Sequence, residues 1–194
     1  MYEPKNFDQL IGLEGFSEKL LKNHFTLYQG YVSNFNKLDE TLMGMKKEGK
    51  FEGSIFNELN RRLGWEFNGM RLHELYFENM MKGGSILETD NELGKKIKQE
   101  WGSFEMWEKD FKSMGAMRGI GWIVLYYDKT TDRLFNVWIN EHDEGHLAGC
   151  VPILVMDVFE HAYMTDYEIK KADYIEAFMK VICWHVASSR FKNL

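Results

Sequence analysis

From Phe16 to Met45 the apolar positions Leu20, Leu21, Leu27, Val32, Phe35 and Leu38 return mostly at three- and four-residue steps, the period of an α-helix with one inward face. His24 and Tyr31 fall on nearly that same face and should also point inward. Ser17 is a plausible N-cap. The charged, glycine-bearing segment Lys46–Gly53 (KKEGKFEG) reads as a reversal of direction. A second helical pattern runs from Ser54 through Met81, with Leu72, His73, Tyr76, Phe77 and Met80 on its apolar side, and Gly83-Gly84 ends it. The first part of the chain therefore predicts an antiparallel helical hairpin, each arm carrying one inward histidine.

Thr89-Asp90-Asn91-Glu92 has the form of a capping box and predicts a third helix, LGKKIKQEW. Gly102-Ser103 breaks it and caps a fourth, with Phe104, Trp107, Phe111 and Met114 inward. Past Arg118-Gly119-Ile120-Gly121 the period changes. Trp122–Tyr127 and Leu134–Ile139 are rich in β-branched and aromatic residues and flank the turn Asp128–Arg133, which predicts a β-hairpin. Asn140–Gly149 reads as a polar loop, Val151–Val155 as a third strand, and Lys171–Phe191 as a last helix with Tyr174, Phe178, Val181, Ile182 and Val186 inward. The fold class expected is α+β: an N-terminal antiparallel helical hairpin, then a helical domain with a three-stranded antiparallel sheet, divided as residues 1–86 and 87–194.

Composition narrows this picture. The chain has 194 residues, 44% of them hydrophobic, enough for one large domain or two small ones with a substantial core. A net charge of −6, with no basic tract, argues against nucleic acid as a partner. No apolar run approaches the roughly 20 residues that cross a membrane. The first sixteen residues lack a basic region followed by an apolar core, so no signal peptide is expected, and the default location is the cytoplasm. Cys150 and Cys183 belong to no C-x-x-C motif and read as buried free thiols in a reducing compartment.

The candidate chemistry lies in Asp157-Val158-Phe159-Glu160-His161-Ala162-Tyr163. On a helix, positions i and i+4 share a face, so Asp157 and His161 could grip one metal ion while Glu160 points away. A structural Asp–His hydrogen bond is the plainer reading of that stretch alone. With His24 and His73 added, the set becomes three imidazoles and one carboxylate without thiolate, which suits iron, manganese or zinc. His73-Glu74 is not the two-histidine zinc-protease motif, since Phe77 stands where the second histidine would be. His142 and His146, four apart in HDEGH, form a second possible zinc pair.

These residues carry a resemblance. Asp157–Tyr163 resembles the signature D-x-W-E-H-A-Y of the iron/manganese superoxide dismutase family, and Tyr31-Val32-Ser33-Asn34-Phe35-Asn36 resembles its Y-V-x-N-x-N. His73 with Tyr76-Phe77, Gly102-Ser103-Phe104 with Phe111, Gly119-Ile120-Gly121-Trp122, Asp173-Tyr174 and Cys183-Trp184 match further segments in order. Each match is weak by itself; their order and spacing along essentially the whole chain make the signal. The resemblance implies dismutation of superoxide to dioxygen and hydrogen peroxide at one iron or manganese ion. That ion would sit between the domains on His24, His73, Asp157 and His161. The resemblance also makes Tyr31 the gateway tyrosine toward the solvent channel, and implies a homodimer or dimer of dimers with Glu160 near the interface.

The chain departs from the family at several places. The ungapped position of the first ligand is Asn23, and one residue is roughly 100° of helical rotation; His24 is chosen because an asparagine amide ligates these metals poorly. Leu27 and Met164 replace a histidine and a tyrosine that join across the family's subunit interface, and Phe159 replaces the tryptophan of the signature. Gly69 stands where some relatives place the glutamine that hydrogen-bonds the bound solvent. His142 is the preferred substitute, with Glu141 and His146 as alternatives, which favours iron, or activity with either metal, over strict manganese. Lys170 and Lys171 occupy the place of an arginine at the funnel mouth. Two other readings stay open: a metal-binding protein of the same fold with weak or no dismutase activity, and a zinc protein using His142 and His146.

Overall fold

The computed structural model describes residues 1–193. Ser17 accepts a hydrogen bond from the Leu20 amide and starts α1 (Glu18–Lys47); Gly49 and Gly53, both at positive φ, turn the chain into α2 (Ser54–Glu78). The helices run antiparallel. Ring contacts step in opposite directions along them, from His24 against Phe77 to Phe35 against Phe67. Phe7, from the N-terminal segment, packs with Phe25, Tyr28 and Phe77 at the site end of this hairpin.

Asn91 caps α3 (Glu92–Trp101) by accepting from the Gly94 amide, and Ser103 caps α4 (Phe104–Gly115) by accepting from Met106. The capping box expected at Thr89 therefore starts two residues too early. Three antiparallel strands follow, β1 (Gly121–Asp128), β2 (Arg133–Asn140) and β3 (Val151–Asp157), in spatial order β2-β1-β3. The central strand is buried from Gly121 to Tyr126, as its unbroken apolar run requires. Asp128 tightens the hairpin turn with bonds to the Thr130 amide and the Thr131 hydroxyl. Pro152 sits on edge strand β3 beside a register shift, where its missing N–H costs no ladder bond.

Two expectations are corrected beyond the sequence-predicted ends. The stretch Asp157–His161 is not a helix: Asp157 is the last residue of β3, and after Val158 and Phe159 a 3-10 turn covers Glu160–Ala162. The final helix is two helices, α6 (Lys171–Lys180) and α7 (Trp184–Lys192), after the short α5 (Met164–Tyr167). Between them Ile182 bridges Met80, and the Met81 and Ser85 amides donate to the Val181 and Ile182 carbonyls. These β-branched residues pair with the chain leaving α2 rather than continuing a helix, and inward packing on α7 passes to Trp184 and Ala187, with Val186 half-buried. Cys150 and Cys183 are free, as expected, but half-buried.

Arg190 of α7 ties α2 to the sheet. Its guanidinium donates to the Leu75 and Ile153 carbonyls, to Glu78 and to Asn79, and Asn79 donates to the Val155 carbonyl at 2.7 Å. The C-terminal turn of α2, which carries His73 one turn earlier, is thereby fixed against the strand that ends in Asp157. Among the described residues no helix is long and apolar enough to cross a membrane.

Candidate metal centre

Four side chains from three parts of the chain meet where the helical hairpin packs on the sheet. One nitrogen each from His24, His73 and His161 and one carboxylate oxygen of Asp157 all lie within 4.8 Å of one another. The Nε2 atoms of His24, His161 and His73 stand 3.1, 3.2 and 3.7 Å from Asp157 Oδ2. His24, His73 and Asp157 are buried, and His161 is the most open of the four. The register of α1 turns His24 inward, at 2% exposed, and Asn23 to the outer face. The helix is regular through this turn.

Asp157 and His73 are each oriented by a further hydrogen bond. The Phe159 amide donates to Asp157 Oδ1 at 2.8 Å, which leaves Oδ2 to the imidazoles. The Tyr174 hydroxyl donates to the Asp157 carbonyl at 2.6 Å and accepts from Tyr76. His73 Nδ1 is 2.6 Å from the Gly69 carbonyl, which can only accept, so the proton sits on Nδ1 and Nε2 carries a lone pair. That Nε2 is buried with no hydrogen-bond partner. An orphaned acceptor aimed at a carboxylate is a cost unless a cation lies between them, and the donor set therefore fits a metal ion.

The electrostatics agree. Burial, and for His73 also the neighbouring His24, holds the His24 and His73 imidazoles below the ordinary histidine range, so both are neutral ligands in waiting. Burial acting alone would raise the Asp157 carboxyl. The electrostatic attraction and hydrogen bond of His161, joined by the hydrogen bond of His24, outweigh it and hold Asp157 far below the usual carboxylate range.

Beside this cluster lies a hydrogen-bonded pair. The structure brings together Tyr31 and His142: the Tyr31 ring stacks on His73 at 5.1 Å, and its hydroxyl is 2.7 Å from His142 Nε2. Trp122 Nε1 donates to His142 Nδ1 at 3.0 Å. With Nδ1 accepting, the neutral imidazole carries its proton on Nε2 and donates to Tyr31. Burial first of all lowers His142 to about 4, so it is neutral at physiological pH, while burial and the Asp157 charge raise Tyr31 and keep it a phenol.

The alternatives resolve differently. Glu141, at positive φ, accepts from Trp65 Nε1 at 3.2 Å rather than meeting Tyr31. The zinc pair His142/His146 is not formed, because all four ring nitrogens are engaged by Trp122, Tyr31, Tyr126 and the His142 carbonyl. Sequence reasoning missed the bonds made by Trp122, which read as a strand residue and the end of a family-like segment, and by Trp65, which lay in a helical stretch. It also missed the chain of hydrogen bonds from buried Tyr28 through buried Glu74 to half-exposed Arg71, in which Glu74 accepts at 2.9 and 2.6 Å. Lys171 donates to the Met117 carbonyl and lies in one groove with Glu160, Tyr163 and Met164.

Fold and cluster together define a mononuclear metal protein built from a helical hairpin and a small antiparallel sheet. The family model Iron/manganese superoxide dismutases, C-terminal domain, matches residues 89–190. Superoxide dismutase (Mn) 2 of Haloferax volcanii is 36% identical over 178 residues, 91% of this chain and 87% of that protein. Superoxide dismutase (Fe) of Cupriavidus metallidurans is 38% identical over 184 residues, covering 92% and 90%. Superoxide dismutase (Fe) of Aquifex pyrophilus is 34% identical over 196 residues, covering 98% and 91%. The chain belongs to the iron/manganese superoxide dismutase family.

Proposed function

We propose that this protein is a superoxide dismutase holding one iron or manganese ion on His24, His73, Asp157 and His161. The observation that carries the reading is the convergence of three imidazole nitrogens on Asp157 Oδ2, with His73 Nε2 buried and unpartnered. The bound ion supplies the one-electron cycle in which one superoxide is oxidised to dioxygen and a second is reduced and takes two protons to become hydrogen peroxide.

The chain's own residues bind the ion, admit the anion and supply protons. One carboxylate and three neutral imidazoles give the site a charge of −1, which leaves the bound ion positive and attractive to an anion. Because His142 donates Nε2–H to the Tyr31 oxygen, the Tyr31 hydroxyl proton is not spent on His142 and remains available to an incoming oxygen anion. His73 backs the Tyr31 ring, and Trp65 packs against both Tyr31 and His142, at 5.5 and 4.5 Å. These rings fix the hydroxyl and exclude bulk water around it.

The division into residues 1–86 and 87–194, with the metal between the halves, is part of the same proposal, as are a cytoplasmic location and a homodimer or dimer of dimers. Exposed Glu160, Met164 and Ile169 share one groove and support the assembly. Lys170 and Lys171 offer local positive charge to the anion in an acidic protein. Iron, or either metal, is favoured over strict manganese because His142 rather than a glutamine meets Tyr31. The test is purification of iron- and manganese-loaded protein, with metal content and superoxide removal measured together. One ion per chain with catalytic removal of superoxide is expected. Full occupancy without superoxide removal overturns the reading and leaves a metal-binding protein of this fold.

A further inference from the structure

The central strand presents Trp122 and Tyr126 on one face, four residues apart. Each meets Nδ1 of a loop histidine, His142 and His146, themselves four apart: Trp122 Nε1 lies 3.0 Å from His142 Nδ1, and Tyr126 Oη lies 2.7 Å from His146 Nδ1. His146 Nε2 is 2.8 Å from the His142 backbone carbonyl. That oxygen can only accept, so the His146 proton is on Nε2, and Nδ1 accepts from the Tyr126 hydroxyl. Asn68 Nδ2, 3.4 Å from the same Nε2, is a second donor facing a donor and is not its partner. The strand thus sets the tautomer of His142 through Trp122, while the His142 carbonyl sets that of His146, which Tyr126 then anchors. The first Nε2–H goes to Tyr31 and the second to the backbone of the first.

The loop needs such a hold. Glu141, immediately before His142, is in the left-handed region at φ 50°, an uncommon conformation for a residue with a side chain. Gly145, immediately before His146, is at φ 101°, and a Cβ there would lie 2.8 Å from the Trp138 carbonyl. Asn140 and Glu144 pair across the turn through their backbones. That pair closes the turn, and the His146 bond is the one that holds the His142 carbonyl itself.

We propose that His146 is a positioning residue for the reaction: anchored by Tyr126 on the sheet, it holds the His142 backbone so that His142 reaches the Tyr31 hydroxyl. The inference rests on the dismutase reading for its kinetic part only. His146 touches neither Tyr31 nor any of the four clustered side chains, and its effect passes through His142.

The test uses metal-loaded protein. His146→Leu removes both bonds, whereas His146→Gln keeps an amide donor near the place of Nε2. Tyr126→Phe removes the anchor alone, and carries the same test should His146→Leu fail to fold. For His146→Leu, kcat is expected to fall about tenfold with metal content unchanged, while kcat/KM moves less than kcat. The crystal structure should show His142 Nε2 to Tyr31 Oη opening beyond about 3.5 Å. His146→Gln is expected to restore most of kcat and the short contact. An unchanged contact and kcat in His146→Leu overturns the proposal. So does a His146→Gln variant as slow as His146→Leu while His142 stays on Tyr31. If the metal-loaded wild-type protein removes no superoxide, the dismutase reading falls, and the His142–Tyr31 distance in the variants still decides this inference.

Discussion

The Tyr31 ring lies in the space that a side chain at residue 69 would need: an ideal Cβ on Gly69 would stand 2.5 Å from Tyr31 Cδ1. The glycine lies within α2, so what it provides is room rather than backbone freedom. Through that room the ring crosses α2 and stacks on His73, with its hydroxyl on His142.

Gly69→Ala sets two effects against each other. Alanine gains about 1 kcal/mol of helix propensity, but the overlap costs about 1–3 kcal/mol because Tyr31 is hemmed in by His73, Trp65 and His142. A net loss of about 1 kcal/mol, or roughly 2–4 °C in Tm, is expected by calorimetry. Superoxide removal should fall as Tyr31 leaves His142.

Asp157→Ala leaves three neutral imidazoles and no carboxylate. Metal affinity should drop more than about 100-fold, read as metal content after gel filtration. Chelation of the wild-type metal should lower Tm by roughly 10 °C, the stabilisation expected when ligand is present at about 1,000 times Kd. A wild-type Tm indifferent to chelator would place the metal elsewhere.

The metal-free protein should lose stability as pH falls from neutrality, and the sign follows from His142. Its folded value is about 4 because of burial, against about 6.5 unfolded. The unfolded chain binds the proton first, so this group's contribution is complete above about pH 6.5 and drains toward pH 4. The slope is at most about 1.4 kcal/mol per pH unit. His24 and His73, also lowered, act in the same direction. The depressed Asp157 carboxyl adds a contribution that is present above about pH 3.9 and lost below it. Urea unfolding at pH 6.5 and 5 should show His142→Gln losing about 1.6 kcal/mol less than wild type over that interval.

Trp122→Phe removes the donor to His142 Nδ1 and frees the ring to place its proton on either nitrogen. A fall in kcat of about tenfold, with metal content retained, is expected in stopped-flow assays. Equal kcat would mean that Tyr31 alone fixes the tautomer.

The helical hairpin, the hairpin strands and the four clustered residues were legible because each follows from a local period or a short motif. His24 over Asn23 was legible from ligand chemistry, and α1 turns that histidine inward. What sequence could not supply was nonlocal. Val181 and Ile182 fit a helical stripe, and only the neighbouring Met80–Ser85 segment makes them break it. Asp157 and His161 have helical spacing, yet a strand end and a 3-10 turn bring them together. Trp122 shows an apolar strand residue from sequence, and its indole N–H acquires a role only when the loop after β2 folds back over β1.

The cluster draws its members from positions 24, 73, 157 and 161, and this spacing bears on when the protein can load its ion. A chain growing at roughly 5–20 residues per second makes Asp157 some 4–17 s after His73. Until then the nascent protein offers two imidazoles and no carboxylate, a poor trap for any divalent ion. Metal acquisition on all four side chains therefore waits until His161 has been made. The ion supply that bears on loading is then the one met after His161 has been made, rather than the supply met during synthesis of the helical hairpin.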